Sequence, residues 1–175
     1  MTDDALRYPA GRFAEPGGPL SPAEIEAVVA EIEAFPAALR QATAGLDDAV
    51  LETPYRPGGW TVRQTVHHVA DSHSNAVLRF KWALTEREPT VKPYDEAAWA
   101  RLADVALPVG VSVALVGALH ARWTAVLRGM APDDWARRFL NPEHGPQRLD
   151  RTAAMYAWHG RHHLAHIALV TGPAA

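Results

Sequence analysis

A chain of 175 residues with no cysteine, a formal charge of −3 and a pI near 6.3 excludes several functions before any motif is read. It has no net positive field with which to attract a phosphate backbone, so nucleic acid is not an expected partner. It can form neither a disulfide nor a zinc–thiolate cluster, so any metal must be held by His, Asp or Glu.

A hydrophobic fraction of 48% with 21% charged residues is ordinary for a globular chain, and the length predicts one domain over residues 1–175. The acidic start Met1-Thr2-Asp3-Asp4-Ala5 lacks the basic and then apolar pattern of a secretion signal. The longest uncharged apolar stretch, residues 105–119, spans fifteen residues and contains Pro108 and Gly110. No membrane span and a cytoplasmic location are the expectations.

Residues 1–20 carry Pro9, Gly11, Pro16, Gly17, Gly18 and Pro19 and predict an irregular arm. Ser21-Pro22-Ala23-Glu24 then combines an N-cap serine, a proline at the first helical position and a glutamate three residues after the cap. The helix it opens should run to about Ala44, burying Ile25, Val28, Val29, Ile32, Phe35, Leu39 and Ala42, with a kink at Pro36. Residues 46–55 offer one short turn around 47–51, and 54–59 form a sharp loop.

Thr61-Val62-Arg63-Gln64 is a second capping box. The helix after it shows Val62, Val66, Val69, Ala76, Val77, Phe80 and Leu84 on one stripe and ends near Glu88-Pro89. Residues 89–109 predict a long crossover with a short helix at 94–102, followed by an apolar helix over 110–128. A helical turn at 131–135 and a loop at 141–146 precede a last helix, capped by Asp150 and running to about Thr171. Four long helices without alternating strands predict an all-α four-helix bundle with a long crossover and short extra helices.

Seven of the nine histidines fall in two short segments: His67, His68 and His73 on the second long helix, and His159, His162, His163 and His166 on the last. Residues four apart share a helix face, so His159 with His163, or His162 with His166, can reach one cation, and a facing helix can supply a third ligand. At about 100° per residue, His73 points into the centre of its helix's apolar stripe, His68 toward its edge and His67 to the opposite flank. His159 and His163 lie nearer the apolar stripe of the last helix than His162 and His166 do. Periodicity alone thus favours His73 on the earlier helix and His159 with His163 on the later one.

The run Pro54-Tyr55-Arg56-Pro57-Gly58-Gly59-Trp60-Thr61-Val62-Arg63-Gln64-Thr65-Val66-His67-His68-Val69-Ala70-Asp71-Ser72-His73 resembles the DinB-like superfamily, and within it the YfiT-type proteins assigned as metal-dependent hydrolases. Arg79-Phe80-Lys81, Lys92-Pro93-Tyr94-Asp95-Glu96, Leu119-His120, Arg122-Trp123 and the stretch from Trp158 to Ile167 extend the likeness over nearly the whole chain; the loop at 141–148 has no distinctive counterpart. The superfamily pattern, a histidine eight residues after a tryptophan and a late His-x-x-x-His, falls on His68, His159 and His163.

The resemblance implies that these three hold one divalent ion, zinc or nickel, in a bundle that often dimerises. Water activated for attack on a small-molecule electrophile is the leading activity it implies. Transfer of a low-molecular-weight thiol of the bacillithiol or mycothiol type is the second, and a non-catalytic metal-binding module the third. No HExxH glutamate supplies a general base. Asp71, Asn75, Arg79, Lys81, Tyr94, Asp95 and His120 are candidates for substrate contacts or for bonds to ligating imidazoles. His67, His73, His162 and His166 are assigned as substrate contacts or core residues, and Trp60 as the staple of the bend before the second helix.

Overall fold

The computed structural model describes residues 2–172; Met1, at the head of the expected arm, and 173–175 lie outside it. In chain order the elements are α1 (Asp3–Arg7), α2 (Pro22–Thr43), α3 (Asp48–Leu51), α4 (Val62–Thr85), α5 (Glu96–Trp99), a 3-10 turn at Ala103–Ala106, α6 (Val109–Arg128), a second at Pro132–Ala136, β1 (Arg138–Asn141), β2 (Gly145–Arg148) and α7 (Leu149–Thr171).

Both capping boxes form as their sequences require. Ser21 Oγ accepts from Glu24 N at 3.3 Å while Glu24 accepts from Ser21 N at 2.7 Å. The Thr61–Gln64 pair repeats this at 3.2 and 3.0 Å. Arg63, buried in the first turn of α4, donates to Asp48 and Glu52 on the α3 side and to the Leu107 carbonyl on the other. The start of α4, and so the direction its later side chains face, is fixed from both flanks.

α2, α4, α6 and α7 form a four-helix bundle. Around the bundle α2 touches α6, α6 touches α4, α4 touches α7 and α7 closes on α2, so α2 and α4 stand at opposite corners, as do α6 and α7. Two apolar clusters divide the interior along its length. One holds Ile32, Phe80, Trp123 and Tyr156, the other Phe35, Val66, Val116 and Ile167. The clusters are met in one order along α2 and α7 and in the reverse order along α4 and α6, so α4 and α6 are adjacent and run the same way. Parallel neighbours cannot be joined by a tight turn, which is why residues 86–108 form a long crossover.

Three expectations are corrected. Residues 138–148 are an antiparallel hairpin, Arg138 facing Arg148 and Asn141 facing Gly145, where a plain loop and no strand were expected. Its outer edge is not bare: Val91 N donates to the Leu140 carbonyl and Leu140 N to that of Pro89, tying the hairpin to the crossover. Asp150 does not cap α7, because the N-cap is Arg148; the buried Asp150 carboxylate instead accepts from Leu20 N, Arg151 N and the Arg148 guanidinium. The arm is not wholly irregular, since Thr2 caps α1.

α6 is also long and apolar enough, by length and composition, to cross a membrane, which the fifteen-residue stretch did not suggest. Here it packs as a bundle helix, burying Val113, Val116, His120, Trp123 and Leu127.

Asp71 lies on α4, half-buried, and burial together with the nearby charge of Asp104 pushes its carboxyl up to about 6. Because the folded state favours the protonated form, this stabilisation is complete below the ordinary carboxylate range and is lost as the pH rises through about 6. Asp71→Asn, which keeps the shape without the charge, is therefore expected to exceed wild type in urea-denaturation stability at pH 7.5. The gain should be about 1 kcal/mol, after allowance for solvent screening, and should vanish near pH 4. An advantage that is equal at both pH values would rule out the charge as its cause.

Candidate metal centre

The bundle is apolar at both ends and imidazole-rich between them. At the level where one apolar cluster gives way to the other, α4 presents His68 and His73, α6 presents His120, and α7 presents His159 and His163. His68, His159 and His163 each bring one ring nitrogen within 4.8 Å of those of the other two. The Nε2 atoms of His68 and His159 stand 3.3 Å apart. Two nitrogens bound to one tetrahedral ion at 2.0–2.1 Å would be about 3.3 Å apart by the same geometry, so the donor set fits a small divalent cation.

Burial, with the charge of His162, lowers the pKa of His68 to about 4, and burial among neighbouring imidazoles holds His159 and His163 well below the ordinary histidine range. All three are thus neutral at pH 7, the form in which imidazole binds a metal, and no proton has to leave first.

The rings are held from outside. Trp60 packs against His68 with centroids 4.5 Å apart, a direct role for the residue that ends the Gly58-Gly59 bend. His73 Nε2 lies 3.1 Å from His159 Nδ1, on the edge of that ring away from His68. His166 Nδ1 lies 3.4 Å from His163 Nδ1, while His166 Nε2 donates to the Arg7 carbonyl in the N-terminal arm and its ring stacks on Tyr55.

The other histidines of the two segments stand outside that set of three. His67 donates from Nε2 to the Leu107 carbonyl and accepts the Ser112 hydroxyl at Nδ1, pinning α4 to the entry of α6. His162 stacks on Trp158 at 4.6 Å. His73, the choice of periodicity, is the most buried of the α4 histidines at 1% exposure, yet it is not one of the three that converge.

His68 and His159 open onto a cavity of about 440 Å³. Its walls include Ser72 and Arg79 from α4, Tyr94 from the crossover and Tyr156 from α7. Ser72 Oγ is 3.5 Å from His159 Nε2. Arg79 donates to the Tyr156 hydroxyl at 3.0 Å and makes no ion pair among the described residues, so a half-buried cation faces the cavity without a carboxylate partner. Burial pushes both tyrosine hydroxyls up, which leaves them protonated donors at neutral pH. The cavity's carboxylates, Glu15, Glu96 and Glu143, are exposed, and Glu15 is paired with Arg151.

Of the secondary candidates, Arg79 and Tyr94 reach the cavity and His120 stands behind the histidine cluster. Asp95 caps α5, and Asn75 donates back to the Asp71 carbonyl within α4. Sequence reasoning missed Ser72 and Tyr156, and also the hairpin, which contributes Phe139, Asn141 and Gln147 to the wall. The alternating burial along 138–141 is not written in its residue types, since Leu140 is exposed and Asn141 buried; the one local cue is Gly145, whose φ of +71° suits a left-handed turn.

Residues 31–167 match the DinB superfamily. Relatives from Bacillus mycoides (strain KBAB4) and Bacillus thuringiensis subsp. konkukian (strain 97-27) are each 49% identical over 93% of this chain and 93% of their own; both are named, as a provisional assignment, metal-dependent hydrolases. YfiT from Bacillus subtilis superposes with a TM-score of 0.92 at 41% identity, over 95% of this chain and 96% of that one; it is described as "a probable metal-dependent hydrolase with an unusual four-helix bundle topology". With opposite corners of its bundle joined in sequence and a shared pattern over most of its length, this chain belongs to the DinB superfamily.

Proposed function

We propose that the chain is a metal-dependent hydrolase in which His68, His159 and His163 hold one divalent ion, zinc or nickel, beside a cavity that admits a small electrophile. The observation that carries this reading is the convergence of three neutral imidazole nitrogens, two of them on rings, His68 and His159, that line that cavity. An ion held by neutral ligands alone keeps its full charge and lowers the pKa of water or of a thiol.

The chain's own residues supply orientation. The Arg79 guanidinium, steadied by Tyr156, offers its remaining N–H groups to a substrate carbonyl or carboxylate oxygen. The Tyr94 and Tyr156 hydroxyls donate and do not act as bases. Proton acceptance falls to the solvent-exposed carboxylates of Glu96 and Glu143 at the cavity rim.

One observation favours a second reading. Among the described residues no buried carboxylate stands beside the three imidazoles, and transfer of a low-molecular-weight thiol to an electrophile needs no base for water.

A single comparison separates the two. Metal-loaded protein is assayed against an ester and amide panel, and against monochlorobimane with and without bacillithiol. Hydrolysis that proceeds without thiol and is lost on chelation is the expected result. Product formed only when bacillithiol is present would replace the hydrolase assignment with thiol S-transfer.

A further inference from the structure

Pro36 lies inside α2 without breaking it. A proline has no N–H, so the carbonyl four residues earlier, that of Ile32, loses its helical partner. A buried carbonyl without a donor is costly, and here the donor comes from another helix: His120 Nδ1 on α6 lies 2.7 Å from Ile32 O.

A carbonyl can only accept, so His120 carries its proton on Nδ1. Burial keeps the ring neutral, and its Nε2 is therefore an acceptor. His73 Nδ1 on α4 stands 2.7 Å from that Nε2 and must donate to it, which leaves His73 Nε2 as an acceptor in turn. His159 Nδ1 on α7 is 3.1 Å from His73 Nε2 and must donate. The one nitrogen of His159 then left with a lone pair is Nε2, the atom that faces His68. Each link decides the next, and the sequence of donors crosses all four helices of the bundle in their order of contact.

We propose that His120 and His73 are positioning residues that fix His159 as the Nδ1–H tautomer and so aim its Nε2 at the metal position, the relay being anchored on the Ile32 carbonyl that Pro36 leaves open. This rests on the three-histidine reading of the site for its purpose, though not for its geometry. His163 is served by a shorter version: His166 donates to the Arg7 carbonyl from Nε2, so its Nδ1 accepts from His163 Nδ1 and leaves His163 Nε2 to the ion. A metal-ligating imidazole whose other nitrogen donates outward is more basic and better oriented, and loss of such a partner typically lowers metal affinity about 10–100-fold.

The test begins on the metal-free wild-type protein, with side-chain ¹H–¹⁵N correlation spectra of its histidines. His120, His73 and His159 are expected as Nδ1–H tautomers, and a proton on Nε2 of His159 would overturn the proposal without reference to any metal. His73→Phe and His73→Gln are then compared by cobalt(II) titration, with folding checked by circular dichroism. Phenylalanine keeps a ring but cannot accept, and should weaken cobalt binding about 10–100-fold and shift its visible spectrum. Glutamine can accept from His159 and should recover part of both. A folded His73→Phe that binds cobalt with unchanged affinity and spectrum would also overturn it. Failure of the wild type itself to bind cobalt or zinc, with the tautomers as expected, would sink the metal-site reading instead.

Discussion

His159→Ala is expected to abolish stoichiometric metal binding, and His68→Ala and His163→Ala to do the same, whereas His67→Ala and His162→Ala should bind a full equivalent. If the free energy of a tight zinc site is shared among three imidazoles, each contributes on the order of 3–5 kcal/mol, so one truncation should weaken binding roughly 10²–10⁴-fold. Metal content after dialysis against a competing chelator reads this directly. The contrast follows from where each nitrogen is engaged: both ring nitrogens of His67 are committed to Leu107 and Ser112, away from the cluster. Loss of His67 should instead lower stability by about 1–2 kcal/mol, the scale of a broken buried hydrogen bond. Undiminished metal content in both His68→Ala and His159→Ala would exclude these ligands.

How much of this was legible in the sequence depends on how far each determinant reaches along the chain. The capping boxes at Ser21 and Thr61 are complete within four residues, and the helices they open begin where those residues place them. The hairpin is a different case. Its strands have four residues each, one carries Pro146, and its pairing is completed by Thr90, some fifty residues earlier, so no local window contains the reason for it. Asp150 looked like a cap from its position before the helix, but its partners Leu20 and Arg148 draw it inward.

The histidines show the same limit more sharply. Periodicity ranks residues by how directly they face the bundle axis, and by that measure it found the most buried histidine of α4. Burial and ligation are different conditions. A ligand must meet two nitrogens on another helix, at the contact between α4 and α7 where the cavity reaches the bundle interior, and the rotation of one helix against the other is absent from either helix's own pattern. His73 faces the axis and hands its donor to His120; His68, nearer the edge, faces α7. The superfamily pattern, a histidine eight residues after Trp60, selects His68, the α4 histidine with a ring nitrogen within 4.8 Å of those of His159 and His163.

Gly160 shows how narrow the tolerance of that geometry is. It sits on α7 between His159 and His163, and a Cβ there would lie 2.8 Å from Cδ2 and 3.1 Å from Cε2 of Phe35 on α2. The Phe35 ring is backed by His73 and His120, with centroids 5.1 and 5.4 Å away, so withdrawal in their direction would disturb both. Gly160→Ala gains up to about 1 kcal/mol of helix propensity but overpacks the contact between α2 and α7 at a cost of about 1–3 kcal/mol. The expected result is a net loss of about 1 kcal/mol or more in chemical denaturation, with metal affinity reduced alongside it because His159 and His163 flank the displaced turn. Gly117→Ala on α6 is the control: its Cβ would meet only Arg40 Nη2 at 3.9 Å, and it should be neutral or stabilising. Phe35→Leu should partly rescue Gly160→Ala, with a coupling energy on the order of 0.5–3 kcal/mol in the double-mutant cycle. Additive behaviour of the two substitutions would mean that Phe35 does not set the distance between α2 and the turn that carries His159 and His163.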